Sequence, residues 1–256
     1  MKNMLDQYRE NEIIKIIREK GTVRVSELSQ LLDVSEATVR RDLDKLDGKS
    51  QIQRIHGGAI LIEKSDPEPP VILRKTIMSD EKERIGKAAA NLVKENDTIF
   101  LGSGTTAEAV AHNLVDRKNI TVITNALTVI NKLVQTNGIS LIATGGLFRD
   151  VELSFIGHIT EQALRELRPQ KVIMGIRAIS LTAGLTNEFL PEVSTDRVII
   201  QSAPEIYLVA DHTKFDKVST AFVAPITDVH KIITDTGVSE SIISRLLENN
   251  IEVLVV

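Results

Sequence analysis

The stretch "SEATVRRDLDKL", residues 35 to 46, has the residue types and spacing to touch DNA. Ser35 is a candidate N-cap, and Val39, Leu43 and Leu46 recur at helical spacing as a narrow apolar stripe. That stripe leaves Thr38, Arg41, Asp42 and Lys45 on the opposite face, with Arg40 at its flank. A helix of this kind laid in the major groove can reach base edges and phosphates. A second set of polar residues follows the ends of apolar runs further along. These are Gly102-Ser103-Gly104-Thr105-Thr106, Thr124-Asn125, Thr144-Gly145-Gly146, Arg177, Asp211-His212-Thr213-Lys214 and Asp235. A Ser-Gly-Thr-Thr turn leading into a helix offers backbone N–H groups, hydroxyls and a helix N-terminus, which together cradle an anion. It lacks the lysine and spacing of a P-loop and is no GxGxxG fingerprint, which weighs against ATP and NAD. A small phosphorylated molecule fits better. Singly, each turn is ordinary turn chemistry; their convergence on one sheet edge is what favours a pocket.

The elements that position the first set lie in the first sixty residues. Residues 6–20 carry Ile13, Ile14 and Ile17 on one side, before Gly21. "VSELSQLLDV" places Val25, Leu28, Leu31 and Leu32 on one face, with Ser26 as its expected N-cap. A short connection, Asp33-Val34, leads to the helix opened by Ser35, as in a helix-turn-helix. In "SQIQRIHGGAIL", Gln51 and Gln53 alternate with Ile52 and Ile55 before Gly57-Gly58, the pattern of a β-hairpin. The hairpin makes the motif winged, with Arg54, His56 and Gly57 at a tip suited to phosphate or minor-groove contact.

Pro67, Pro69 and Pro70 then cluster in residues 63–79, which reads as an extended connector. Beyond it, apolar runs at "DTIFLG", "ITVIT", "ISLIAT", "KVIMGI", "EIYLVA", "KIIT" and "IEVLVV" alternate with helical stretches at 81–94, 107–115, 126–135, 159–167, 194–202 and 239–249. That is the pattern of a mainly parallel sheet covered on both faces, with ligands beyond the carboxyl ends of its strands. The expected division is 1–62, a winged helix-turn-helix; 63–79, a linker; and 80–256, an α/β effector domain.

Composition narrows the setting. Of the 256 residues, 42% are hydrophobic and 26% charged, and there is no cysteine, which excludes disulfides and thiolate metal sites. No apolar run approaches a membrane span and the N-terminus is too polar for a signal peptide, so a cytoplasmic protein is expected. Residues 1–64 hold 12 Lys and Arg against 11 Asp and Glu. DNA contact must therefore come from a local patch, which Arg40, Arg41, Lys45, Lys49 and Arg54 supply.

On these residues the chain resembles the DeoR family of bacterial repressors. "SEATVRRDL", with Arg9, Ile13 and Ile17 upstream and "RIHGGA" downstream, is similar to that family's DNA-binding signature. "LGSGTT", "TN", "ATGG" and "ADHTKF", in that order, resemble its effector domain, whose fold is similar to ribose-5-phosphate isomerase and the CoA-transferases. The resemblance implies that Ser103, Gly104, Thr105 and Thr106 hold a phosphate, with Asn125, Gly145, Gly146 and Lys214 completing a sugar-phosphate site and Asp211 beside them. Two departures stand out. Ser50-Gln51 replaces the usual Gly-aliphatic pair before the wing. Gly175-Ile176-Arg177-Ala178 replaces an acidic Gly-hydrophobic-Asp-Gly segment, so that Arg177 and Glu188 would set the effector preference.

The function expected is a regulator, in its leading form a repressor, of a sugar or polyol catabolism operon, bound to operator DNA through Ser35, Thr38, Arg40, Arg41, Lys45, Arg54, His56 and Gly57. A phosphorylated sugar effector would control it, and paired half-sites imply a homodimer or homotetramer. Neither cofactor, metal nor membrane is expected. The alternative is a sugar-phosphate isomerase, for which Asp211, Glu188 and Asp235 are the available carboxylates. No catalytic residue is assigned, because none lies in a stretch resembling an isomerase's acidic segment.

Overall fold

The computed structural model describes residues 9–10, 12–17, 22–48, 52–55, 57–61 and 69–256, and the chain divides into two units, Met1–Pro67 and Glu68–Val256. In the first unit, α1 (residues 12–17), α2 (Val25–Leu31) and α3 (Glu36–Gly48) pack with a three-stranded antiparallel sheet ordered β1-β3-β2 (β1 Thr22–Arg24, β2 Ile52–Ile55, β3 Gly58–Leu61). Ile13, Ile17, Leu28, Val39, Leu43, Leu46 and Ile52 form its core, each fully buried. The expected hairpin is present, and β1 is an extra strand on its far side. Gly58 lets those strands meet, because a Cβ there would lie 2.1 Å from the carbonyl oxygen of Val23. Ser26 does not cap α2. The helix begins two residues earlier than such a cap would place it, with Arg24 at the cap position, and the Val25 N–H donates instead to the carbonyl of Gly57 at 2.9 Å. Ser35 does cap α3: its Oγ accepts from the backbone N–H of Thr38 at 3.2 Å.

The seven expected apolar runs of the second unit become the seven strands of one parallel sheet, ordered β15-β14-β12-β9-β4-β5-β6. They are β4 Thr98–Leu101, β5 Ile120–Thr124, β6 Ile139–Ala143, β9 Lys171–Met174, β12 Glu205–Val209, β14 Lys231–Thr234 and β15 Glu252–Val255. Alternation along each strand feeds two cores. Phe100, Val172, Leu208 and Ile232 face one, with α8 (His158–Glu166), α9 (Leu190–Gln201) and α10 (Glu240–Glu248) over them. Ile99, Leu101, Ile173, Val209 and Ile233 face the other, under α5 (Ser79–Asn91), α6 (Thr105–His112) and α7 (Leu127–Leu133). Coverage fails only towards the edge: β6 leaves Ile142 exposed.

Strand order matters for function. The chain builds outward from β4 through β5 to β6, then returns to the other side of β4 with β9. The switch point, where a crevice opens beyond the strand ends, therefore lies between β4 and β9. A hairpin, β7 (Leu147–Arg149) with β8 (Ser154–Ile156), and a small antiparallel sheet, β10 (Ala178–Ser180), β11 (Gly184–Asn187) and β13 (Ala221–Ala224), complete the unit. Neither was foreseen. The connector expected over 63–79 is extended only as far as Pro70 within the described residues. A helical turn, α4 (Val71–Arg74), follows, with Val71 buried and its N–H donating to the carbonyl of Val151 at 2.8 Å.

Candidate functional site

On the first unit, α3 presents Arg40 and Arg41 to solvent, with Lys45 one turn on and Ser35 and Thr38 at the helix start. Glu36 holds Arg40 at 2.9 Å in an exposed i,i+4 pair. Asp42 does not share this surface. It is buried and accepts from Arg9 Nε at 2.5 Å and Arg9 Nη2 at 3.2 Å, so it ties α3 to residue 9. Its negative charge is thereby neutralised, which leaves the exposed face more basic than the sequence count suggests. Gly57 sits exposed at the hairpin turn with φ +79°, a conformation favouring glycine. Arg54 belongs to β2; His56, Lys49 and the Ser50-Gln51 departure lie outside the described residues.

In the second unit a cavity of about 260 Å³ opens at the switch point. Its floor is the turn Gly102–Thr106 after β4, which starts α6, together with Gly175–Arg177 after β9 and Ala210, Asp211, Thr213 and Lys214 after β12. Gly104 precedes α6 with φ +98°, and no side chain caps this helix. The free N–H groups of its first turn therefore face the cavity region with the dipole favouring an anion.

The segment 69–82 forms one rim. Lys82, on α5, is buried and donates to the carbonyls of Arg74 at 2.8 Å and Ile77 at 2.5 Å. Burial, with the nearby Lys214 and Arg74 cations, lowers its pKa from the ordinary lysine value, against the pull of Asp211. Arg74 donates through Nε to the carbonyl of Pro69 at 2.9 Å and through Nη2 to Glu152. Glu152 in turn lies beside Gly104: a Cβ there would be 3.3 Å from its Oε1.

The wall supplied by α9 and β11 carries Asn187, Glu192 and Asp196, all buried. Asn187 Nδ2 donates to Asp196 Oδ2 at 2.8 Å and to Glu192 Oε2 at 3.2 Å, and Glu192 also accepts from Arg149. Burial first, and then the neighbouring Glu192 carboxylate, hold the Asp196 pKa well above the ordinary carboxylate value.

Comparison with known proteins agrees with both units. Residues 9–65 match the DeoR-like helix-turn-helix domain and residues 77–236 the DeoR C terminal sensor domain. The chain belongs to the DeoR family. Its relatives there include the transcriptional repressor AccR of Agrobacterium fabrum, 34% identical over 90% of each chain. The HTH-type transcriptional regulator IolR of Bacillus subtilis is 36% identical over 87% of this chain and 88% of its own. The glycerol-3-phosphate regulon repressor of Escherichia coli is 34% identical over 97% and 98%. Among solved structures, ribose 5-phosphate isomerase A from Methanocaldococcus jannaschii aligns over 54% of this chain and 55% of its own, with 19% identity and a TM-score of 0.41. This DeoR-family chain is a DNA-binding transcriptional regulator.

Within the DeoR sensor unit, the cavity brings together Ser103, Gly104, Thr105, Thr106, Arg177, Asp211 and Lys214 from three strand ends. Glu188 stands behind it, 3.9 Å from Arg177. Asn125, Gly145 and Gly146 do not line the cavity. They follow β5 and β6, one and two strands beyond β4 on the side away from the switch point. There Asn125 Nδ2 donates to the carbonyl of Phe155 at 2.9 Å, and the carbonyl of Gly145 accepts from Thr160 Oγ1 at 2.6 Å. Sequence reasoning missed Arg74, Lys82, Glu152, Asn187, Glu192 and Asp196. One signal was available: Pro191 marks the first turn of a helix, and Glu192 and Asp196 four apart then share a face.

Proposed function

We propose that this regulator is an operator-binding repressor of a sugar or polyol catabolism operon, acting in the cytoplasm, and that a phosphorylated sugar or polyol in the switch-point cavity controls it. One observation carries the reading: an uncapped helix start, Ser103 to Thr106, opens into a cavity that Lys82 and Lys214 also line. Backbone N–H groups, two threonine hydroxyls and two ammonium groups are what a phosphate dianion needs. The cavity is large enough for more than the phosphate, and its remaining lining is polar enough to hold hydroxyls. The names of relatives such as the glycerol-3-phosphate regulon repressor support the same class.

In this reading Thr38, Arg40, Arg41 and Lys45 meet the DNA, with Ser35 fixing the helix start and the β2–β3 hairpin as the wing. Paired half-sites require two such units, so the active form is a homodimer or homotetramer. The reading is of binding without turnover, and two of the carboxylates considered as a catalytic base, Asp211 and Asp235, are already engaged. Proton abstraction needs a carboxylate with a lone pair facing substrate. Asp211 accepts from both the N–H and the hydroxyl of Thr213. Asp235 accepts from the His212 N–H and ring Nδ1, each at 2.7 Å, and from the Gly237 N–H at 2.9 Å. Burial opposes its charge, but these bonds outweigh it and hold its pKa below the usual value.

Calorimetry with a panel of sugar and polyol phosphates, run beside an isomerase assay, tests the proposal. Binding without turnover is expected; turnover of a bound phosphate would favour the isomerase.

A further inference from the structure

Three arginines at or beside the cavity each stand against a carboxylate. Arg74 meets Glu152, Arg149 meets Glu192, and Arg177 lies 3.9 Å from Glu188. Asp196 breaks the pattern. It lines the cavity, is buried, and takes an amide, Asn187, as its hydrogen-bond partner. Asn187 cannot serve it further, since its Nδ2 is shared with Glu192 and its Oδ1 accepts from the Glu188 N–H at 2.7 Å. Each pair is neutral as a whole, so this side of the cavity offers no net positive charge to a second anion. A neutral hydroxyl, by contrast, can donate to or accept from a carboxyl.

We propose that Asp196, seated by Asn187, is the group that reads the hydroxyls of the effector's carbon chain, so that the site selects monophosphates with an uncharged, hydroxylated tail and rejects bisphosphates and phosphorylated sugar acids. This rests on the phosphate reading of the Ser103–Thr106 turn. The high pKa of Asp196 supports it, because a carboxyl that keeps its proton can donate as well as accept. Glu192 is spent on Arg149 and Asn187, so it orients Asp196 rather than replacing it.

Calorimetry on the full-length protein tests this with four probe sets: inorganic phosphate, linear and cyclic polyol or sugar monophosphates of three to six carbons, their bisphosphates, and their phosphorylated acids. At least one monophosphate should bind wild type about tenfold or more tighter than inorganic phosphate, with its bisphosphate and acid counterparts weaker. In Asp196→Ala and Asp196→Leu that monophosphate should lose about tenfold, one hydrogen bond's worth, while inorganic phosphate shifts less than about twofold. Inorganic phosphate falling in parallel with the monophosphate would overturn the role of Asp196, since the variant would then damage the whole cavity. A bisphosphate or acid binding wild type as tightly as its monophosphate would overturn it without any variant. Failure of every probe, inorganic phosphate included, would overturn the phosphate reading itself.

Discussion

Two buried carboxylates show how differently the same group behaves. Asp42 is matched by Arg9, and its removal takes a carboxylate away from a partly buried cation. Asp42→Ala should lower the stability of the DNA-binding unit by on the order of 2 kcal/mol, less than for a fully buried pair because Arg9 keeps some solvent. Urea denaturation followed by circular dichroism checks this. Arg41→Ala on the same helix should leave stability within about 0.5 kcal/mol and weaken operator binding by about 1–3 kcal/mol in a gel-shift titration. Asp196 takes the Asn187 amide as its hydrogen-bond partner, and its folded-state pKa is raised by burial and by the Glu192 carboxylate. The folded chain thus holds a proton that the unfolded chain releases above the ordinary carboxylate value, so this group's contribution falls as pH rises from there towards its folded pKa. Asp196→Asn removes that loss. Its melting temperature relative to wild type should therefore climb as the pH rises above the ordinary carboxylate value; a gap that is flat or shrinks on that rise would contradict the assignment.

At the scale of elements, the rim segment 69–78 is the part most directly joined to the site. Lys82 clasps two of its carbonyls, and Arg74 reaches from it to Glu152 beside the phosphate turn. A phosphate arriving there competes for both cations. Amide hydrogen exchange of residues 69–78 should change when a phosphorylated ligand binds, and Lys82→Met should weaken that ligand about tenfold or more. Unaltered exchange in this segment would remove it from the signalling route. The prolines had marked this stretch only as linker, because Pro69-Pro70 says nothing of the turn after it. The seven parallel strands were legible because each is a continuous apolar run of ordinary length. Their order was not, since period and composition carry no information on which strands pair. The family resemblance had put Asn125, Gly145 and Gly146 in the site, and the strand order sets them one and two strands away from it. The strands β10, β11 and β13 are only three or four residues long and do not stand out as apolar runs, so the wall bearing Asn187 stayed hidden.

Across the whole molecule, the effector can change operator affinity only if the two ligands prefer different arrangements of the chain. Proline in residues 65–70 is expected to stiffen the connection, whereas Gly and Ser would loosen it. Replacing that stretch with Gly and Ser should preserve effector binding and half-site contact while shrinking the effector's influence on the full operator. A ratio of affinities unchanged from wild type would make the linker a passive tether. The most direct measurement is operator affinity by fluorescence anisotropy, with and without a sugar monophosphate that binds, for wild type, Thr105→Ala and Lys214→Ala. Wild type should shift by about 5–150-fold with the phosphorylated ligand and not with the same sugar lacking phosphate, and both variants should bind operator normally but shift far less at the same ligand concentration. An equal shift from the unphosphorylated sugar, or wild-type shifts in both variants, would contradict control through the switch-point cavity.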